Sequence, residues 1–367
     1  MIYLDSAATT PISDEVLSAM TPYLTTHYGN PNSVYPLGTE ARKAISAARQ
    51  QVADAIGAEP NQIIFTSGGS EANNLAIQGF CKSHNAGIIF SKTEHTSSIN
   101  ASSIIHNTLY LEEHFDDDDQ NCKELESYKG ADALVWRMYV NNEIGKVNNV
   151  CKIGGVCHSN DHLYFGTDCV QALGFERINI KEIGCDFATF SAHKIHGPKG
   201  VGALYVKDKN MIEPLIYGGI SQEFGLRGGT ENVAGIVGFG KACEIAEKNR
   251  EYNRKKILYL RHLFLEMIDG MEYKLNCDDE SKIISLTIPG VDAETFVVAM
   301  YASYGIAISS GSACRNNELI ANEALIQYGL TVQNARETVR LSLSENLSDV
   351  DIQVVANSCK EIIKILK

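Results

Sequence analysis

The chain predicts an α/β protein with a mostly parallel central sheet flanked by helices and a smaller α+β unit beside it. Between residues 60 and 206, short apolar or β-branched runs alternate with longer amphipathic stretches, as parallel strands with crossover helices require. Beyond about residue 250 the pattern changes to mixed-charge helix with isolated strand-like runs. The length of 367 residues holds two such units at roughly 100–200 residues per domain. With 44% hydrophobic and 21% charged residues, the chain can bury a sizeable core, which excludes disordered and fibrous classes.

The candidate strands are 63–66, 87–91, 133–140, 163–166, 187–190 and 201–206. Just past their carboxyl ends stand Ser67-Gly68-Gly69-Ser70, Glu94-His95, Asn141-Asn142, Asp168, and Ser191-Ala192-His193-Lys194. Ligands of open α/β sheets bind where strand carboxyl ends meet, so these clusters converge on one place. A glycine-rich loop covers 217–230, and a helix runs from Asn232 to beyond His262. The remainder contains strand-like runs at 283–288 and 339–343. The domains expected are therefore 13–250, large, and 1–12 with 251–367, small. The acidic run 112–119 reads as a solvated loop.

Charge and cysteine usage narrow the function. Thirty-two Lys and Arg against 45 Asp and Glu give −13, which repels a nucleic-acid backbone and argues against a direct nucleic-acid partner. Ten cysteines are scattered with no pair at two-residue spacing, a pattern that suits a reducing cytoplasm and supplies no metal-ligand set. No export signal and no apolar run of about 18 residues is visible, so no membrane role is expected.

The chemistry is read from the strand ends. Residues 63–74 form a strand, a glycine turn and a helix start, where close backbone approach and unpaired amides attract an anion. The spacing fits neither nucleotide-binding glycine motif, which disfavours ATP and NAD. Lys194 at a buried strand end is a candidate amine nucleophile able to form a Schiff base. Twenty-six residues earlier, Asp168 could hold a pyridinium nitrogen protonated, which makes pyridoxal phosphate an electron sink. His95 could lie on such a ring or shuttle protons, and Asn142 and Gln171 could bond its phenolic oxygen. Cys314 lies in a small-residue stretch expected to be mobile and exposed, beside Arg315, whose charge favours thiolate.

Seven motifs then carry a resemblance: residues 3–11 (YLDSAATTP), 29–38 (GNPNSVYPLG), 65–77 (FTSGGSEANNLAI), 91–95 (SKTEH), 140–145 (VNNEIG), 191–200 (SAHKIHGPKG) and 309–314 (SSGSAC). In this order they resemble cysteine desulfurases of the class V aminotransferase group, which are fold type I pyridoxal phosphate enzymes. The resemblance implies a cytoplasmic homodimer that takes sulfur from L-cysteine and passes it to an acceptor protein in iron–sulfur cluster assembly or tRNA thiolation. It implies that Lys194 carries the coenzyme, Asp168 pairs with its ring nitrogen and His95 stacks on the ring as acid/base. Gln171 and Asn142 would contact the ring oxygen and the substrate side. Gly69, Ser70, Ser191 and His193 would hold the phosphate, with Thr230 reaching it from the partner subunit. Arg340 would clamp the substrate carboxylate, and Cys314 would accept the sulfur as a persulfide on a long catalytic loop. A selenocysteine lyase or another class V aminotransferase is the alternative activity. A third reading is a non-catalytic relay protein, against which the intact Lys194, Asp168, His95 and Cys314 stand.

Overall fold

A computed structural model describes the backbone of residues 1–110, 118–310, 312–315, 318–321 and 323–367, and the side chains of 1–110, 120–310 and 323–367. The chain divides into two compact units. One comprises 10–140 and 148–249; the other comprises 1–9, 141–147 and 250–367. The division falls inside the long helix Val233–Met267.

The larger unit is built on seven strands: β1 (Ile63–Thr66), β2 (Gly87–Phe90), β3 (Thr108–Tyr110), β4 (Ala133–Trp136), β5 (Leu163–Asp168), β6 (Phe187–Ser191) and β7 (Gly202–Val206). Their order across the sheet is β1-β7-β6-β5-β4-β2-β3. All pairings from β6 through β3 are parallel, and only β7 is reversed, running antiparallel to both β1 and β6. The mostly parallel sheet is thus as expected, and β3 is an additional edge strand. Strands buried on both faces account for the continuous apolar runs, for example Ile63, Ile64 and Phe65 in β1.

Two helices of this unit position the site. Helix α1 (Pro36–Ile56) carries Arg49, and helix α2 (Gly69–His84) follows β1 after a tight turn. Ala72, Leu75, Ala76 and Phe80 of α2 recur at helical spacing and are buried in one cluster with Ile88, Leu134, Trp136 and Leu204 of the sheet. A third, short helix α3 (Thr96–Ser102) starts directly after His95, whose ring nitrogen caps it.

The unit holding both termini has a four-stranded antiparallel sheet in the order Ser309–Ser310, Thr338–Ser342, Ile283–Thr287, Lys274–Leu275. The final helix, Asp349–Leu366, opens with a reciprocal cap between Ser348 and Asp351 and buries Ile352, Val355, Ile362 and Ile363.

One expectation changes. The acidic run falls largely outside the described residues, and its last two members, Asp118 and Asp119, open the helix Asp118–Glu126 rather than ending a loop. Acidic residues are favoured in a first helical turn, because unpaired amides there carry partial positive charge. Around Cys314 the backbone is an antiparallel hairpin, Ser312–Arg315 against Glu318–Ala321, with Cys314 opposite Leu319. The Cys314 side chain lies outside the described residues, as do Asn316 and Asn317.

Candidate active site

In the larger unit the site is assembled from the carboxyl ends of β1, β5 and β6. Gly68 caps α2 with φ 153°, ψ −178°, a conformation that glycine adopts readily. A Cβ on Gly69 would come within 2.9 Å of Val170 Cγ2 and 3.8 Å of Ser191 Cβ, and one on Gly68 would lie 3.9 Å from Ser191 Oγ. The glycine turn, the segment after Asp168 and the start of the lysine turn therefore meet. The first helical hydrogen bond of α2 runs from Ala72 N–H to Gly68 O, 3.1 Å. Gly69 and Ser70 precede it, so their amides lack intrahelical acceptors, the arrangement by which a helix N-terminus can receive an anion.

Asp168, 5% exposed, ends β5 and is fixed from two sides. Its Oδ1 accepts the Val170 N–H at 2.9 Å, and its Oδ2 accepts from Asn73 Nδ2 at 2.8 Å. The same Asn73 nitrogen donates to Ser97 Oγ at 2.8 Å, while Asn73 Oδ1 accepts from Thr189 Oγ1 at 2.6 Å. All of this buried amide's main bonding capacity is used, which locks its orientation. Ser97 in turn reaches His95: its N–H donates to His95 Nδ1 at 3.1 Å, and its hydroxyl lies 2.7 Å from the same nitrogen. Nδ1 is thus the acceptor, and the neutral ring carries its proton on Nε2. One continuous chain, His95–Ser97–Asn73–Asp168, joins two residues that sequence reasoning had placed on the same ring. Sequence reasoning missed Asn73, Ser97 and Thr189; the signal that could have found Asn73 is an amide on the apolar face of α2, beside Ala72 and Ala76.

Lys194 is half-buried in the one-turn helix Ala192–Lys194 that follows β6, and Gln171 is buried just after Asp168. Ser191 ends β6 and is buried. His193 is half-buried, and burial first, then the charges of Lys194 and Lys199, push it down to about 4. The ordinary value is 6.5, so between pH 6.5 and 4 the unfolded chain binds more protons than the folded one. Stability of the coenzyme-free protein should therefore fall as pH drops through that window. Histidine NMR titration should find His193 neutral at pH 6, and His193→Gln should flatten the acid limb of a stability profile; an unshifted titration would refute this. Thr230 is exposed at the end of the glycine-rich loop.

In the other unit Arg340, 7% exposed, points its guanidinium at Asn142 O (2.9 Å), Glu143 Oε1 (3.0 Å) and Asp5 Oδ1 (3.1 Å). Asn142 Nδ2 also donates to Glu143 Oε1 at 2.7 Å. Asn142 and Arg340 are thus brought together, with two carboxylates that the sequence reading did not include.

A parallel sheet with one reversed strand, a glycine turn opening a helix and an acid fixed at the carboxyl edge is the architecture of fold type I pyridoxal phosphate enzymes. Residues 2–355 match the family described as Aminotransferase class-V, and the chain belongs to that family. It is 37% identical over 377 aligned residues to the cysteine desulfurase IscS of Clostridium botulinum, covering 99% of this chain and 94% of that one. Among solved structures it resembles a NifS-like protein from Rickettsia africae, with TM-score 0.88, 30% identity and 99% of both chains covered. It also resembles a structure described as SspA in complex with cysteine, with TM-score 0.79, 31% identity, 94% of this chain and 99% of that one covered. Like other members of its family, the protein is dependent on pyridoxal phosphate, and the Gly68–Gly69 turn, which an added Cβ would fill, fits that group's phosphate.

Proposed function

We propose that the protein is a pyridoxal phosphate-dependent cysteine desulfurase. It removes sulfur from L-cysteine, leaving L-alanine and a persulfide on Cys314. The observation that carries this reading is the buried Asp168 carboxylate, held by Asn73 and the Val170 amide beside the strand that leads to Lys194. When bound, the coenzyme supplies an electron sink for the substrate carbon.

The chain's residues do the rest. Lys194 Nζ holds the coenzyme and moves the substrate α-proton. Asp168 would keep the ring nitrogen protonated, and His95 would stack on the ring and offer Nε2–H for proton transfer. Gln171 and Asn142 bond the ring oxygen and the substrate side. Gly69, Ser70, Ser191 and His193 hold the phosphate, and Arg340 pairs with the substrate carboxylate, for which its planar fork is suited. Cys314 Sγ forms a bond to the substrate sulfur as the carbon–sulfur bond breaks, and the electron pair stays with the three-carbon product until it is protonated. Five buried thiols are poor competitors: burial pushes Cys81 and Cys359 up to about 12 and raises Cys169, Cys185 and Cys243 well above the ordinary range.

The domain that binds the coenzyme is 13–250, and residues 1–12 with 251–367 carry the catalytic cysteine segment. The active form is a homodimer in which Thr230, exposed on the single chain, reaches the partner's phosphate. The protein works in the reducing cytoplasm and delivers sulfur to an acceptor protein of iron–sulfur assembly or tRNA thiolation. Among the described residues no helix is long and apolar enough to cross a membrane.

The test is alanine release from L-cysteine by the wild type and by Cys314→Ala. Release should vanish in the variant while the coenzyme absorbance still responds to L-cysteine. A variant that desulfurates at the wild-type rate would overturn the assignment of Cys314, and activity confined to selenocysteine would favour the lyase alternative.

A further inference from the structure

The glycine-rich segment 216–229 is fastened to the strand and helix that frame the anion site. It closes on itself through Gly228 N–H to Ile216 O, 2.8 Å, and through Gln222 Oε1, which accepts from Gly219 N at 2.9 Å and Gly229 N at 2.8 Å. From it, Arg227 reaches the first turn of α2: Nε donates to Glu71 Oε1 at 2.9 Å, and Nη2 lies 3.4 Å from Oε2. Glu71 Oε2 also accepts the Ser67 N–H at 2.8 Å. Burial would raise the Glu71 carboxyl, but the bonds from Arg227 and Ser67 prevail and hold it below the ordinary range.

This arrangement carries a conflict. Glu71 sits at the third position of the helix whose N-terminus must receive an anion, so its own charge opposes a second negative group there. The Ser67 amide is spent on Glu71, leaving the amides of Gly69 and Ser70 for the ligand. Glu71 shapes the turn, and something must cancel its charge.

We propose that Arg227 is a positioning residue for the coenzyme phosphate: by neutralising Glu71 it lets that carboxylate order the 67–70 turn without repelling the phosphate. The inference rests on the reading that this turn receives the phosphate. It also links occupancy of the turn to the loop that ends at Thr230.

The test compares pyridoxal 5′-phosphate with pyridoxal, which lacks the phosphate, by absorbance titration of coenzyme-free protein. Arg227→Met should weaken pyridoxal 5′-phosphate by about tenfold while leaving pyridoxal unchanged, the scale of one charge at a helix end. Adding Glu71→Gln should recover a substantial part of the loss, because the amide keeps an acceptor for Ser67 N–H and drops the opposing charge. Arg227→Lys, which keeps the charge, should retain the wild-type ratio. Taking the ratio of the two ligands on each variant removes any change in folded fraction, and Arg227→Gln serves as a second neutral variant. An unchanged ratio in both neutral variants, or a double variant as weak as Arg227→Met, would overturn the inference. A wild type that does not favour pyridoxal 5′-phosphate over pyridoxal would instead overturn the phosphate reading on which it rests.

Discussion

Asp168→Asn should lower kcat/KM for L-cysteine desulfuration by roughly 10²–10⁴-fold, the range that positioned proton-holding groups supply. The substitution is nearly isosteric, so its effect is not one of volume. Two consequences follow from the geometry. The neutral side chain no longer keeps the ring nitrogen protonated. Its amide nitrogen can also occupy the place of Oδ2, where Asn73 Nδ2 already donates at 2.8 Å. Asn73 escapes by flipping only if Thr189 Oγ1, which now donates to Asn73 Oδ1 at 2.6 Å, reverses its role and accepts. The alternative flip of residue 168 sets its amide nitrogen against the Val170 N–H, which now bonds Oδ1 at 2.9 Å. With Asn73 in its present orientation donor meets donor either way, so the variant loses a charge and a buried hydrogen bond together. The measurement is steady-state alanine release, with bound-coenzyme absorbance recorded on the same sample to separate lost chemistry from lost binding. Activity within a few-fold of wild type, with the coenzyme bound, would rule out the role given to Asp168.

What the sequence revealed of this site and what it hid have physical reasons. Strands such as Ile63–Thr66 and Phe187–Ser191 were legible because burial on both faces demands unbroken apolar runs. Thr108–Tyr110 was not, since an edge strand of three residues leaves Leu109 and Tyr110 about half exposed and looks like loop. The reversal of β7 left no mark in Gly202–Val206, because an apolar run reads the same in either direction. Asp168 and Lys194 were visible because charged side chains at the ends of apolar strands need a reason to be there. Asn73 and Glu223 were hidden: one is a common helix residue and the other a loop glutamate. Each becomes significant only through partners 24 to 174 positions away in the chain.

Glu223 is also where the largest loss of stability is expected. Strand β1 lies at the edge of the sheet, and among the described residues its outward backbone groups have no neighbouring strand. The chain covers them with an ion pair instead. Arg49 Nη1 donates to Ile63 O at 2.6 Å, Glu223 Oε2 accepts from Phe65 N–H at 2.7 Å, and the two side chains join through paired 2.7 Å bonds. One carbonyl and one amide of the exposed edge are thus satisfied as a strand would satisfy them, and the edge is closed to other chains. The guanidinium also lies 4.7 Å from the Phe65 ring centroid and 5.1 Å from that of Phe224. Holding Glu223 there requires φ 40° at Glu223 and φ 59° at Phe224, two successive non-glycine residues in the left-handed region. Glu223→Ala keeps that strain, leaves Arg49 with its charge uncompensated and strips the Phe65 amide of its acceptor. Breaking a buried pair in this way costs about 3–5 kcal/mol. Thermal unfolding of the coenzyme-free protein, followed by circular dichroism, should shift down by roughly 10 °C. Glu223→Gly should be milder by up to about 1 kcal/mol, because glycine takes the left-handed conformation without a side-chain penalty. The double variant Arg49→Ala with Glu223→Ala should fall well short of the summed single losses, since each single leaves the other partner stranded. Additive losses, or a Glu223→Ala shift no larger than that of the exposed Glu251→Ala, would show that the pair does not hold the edge.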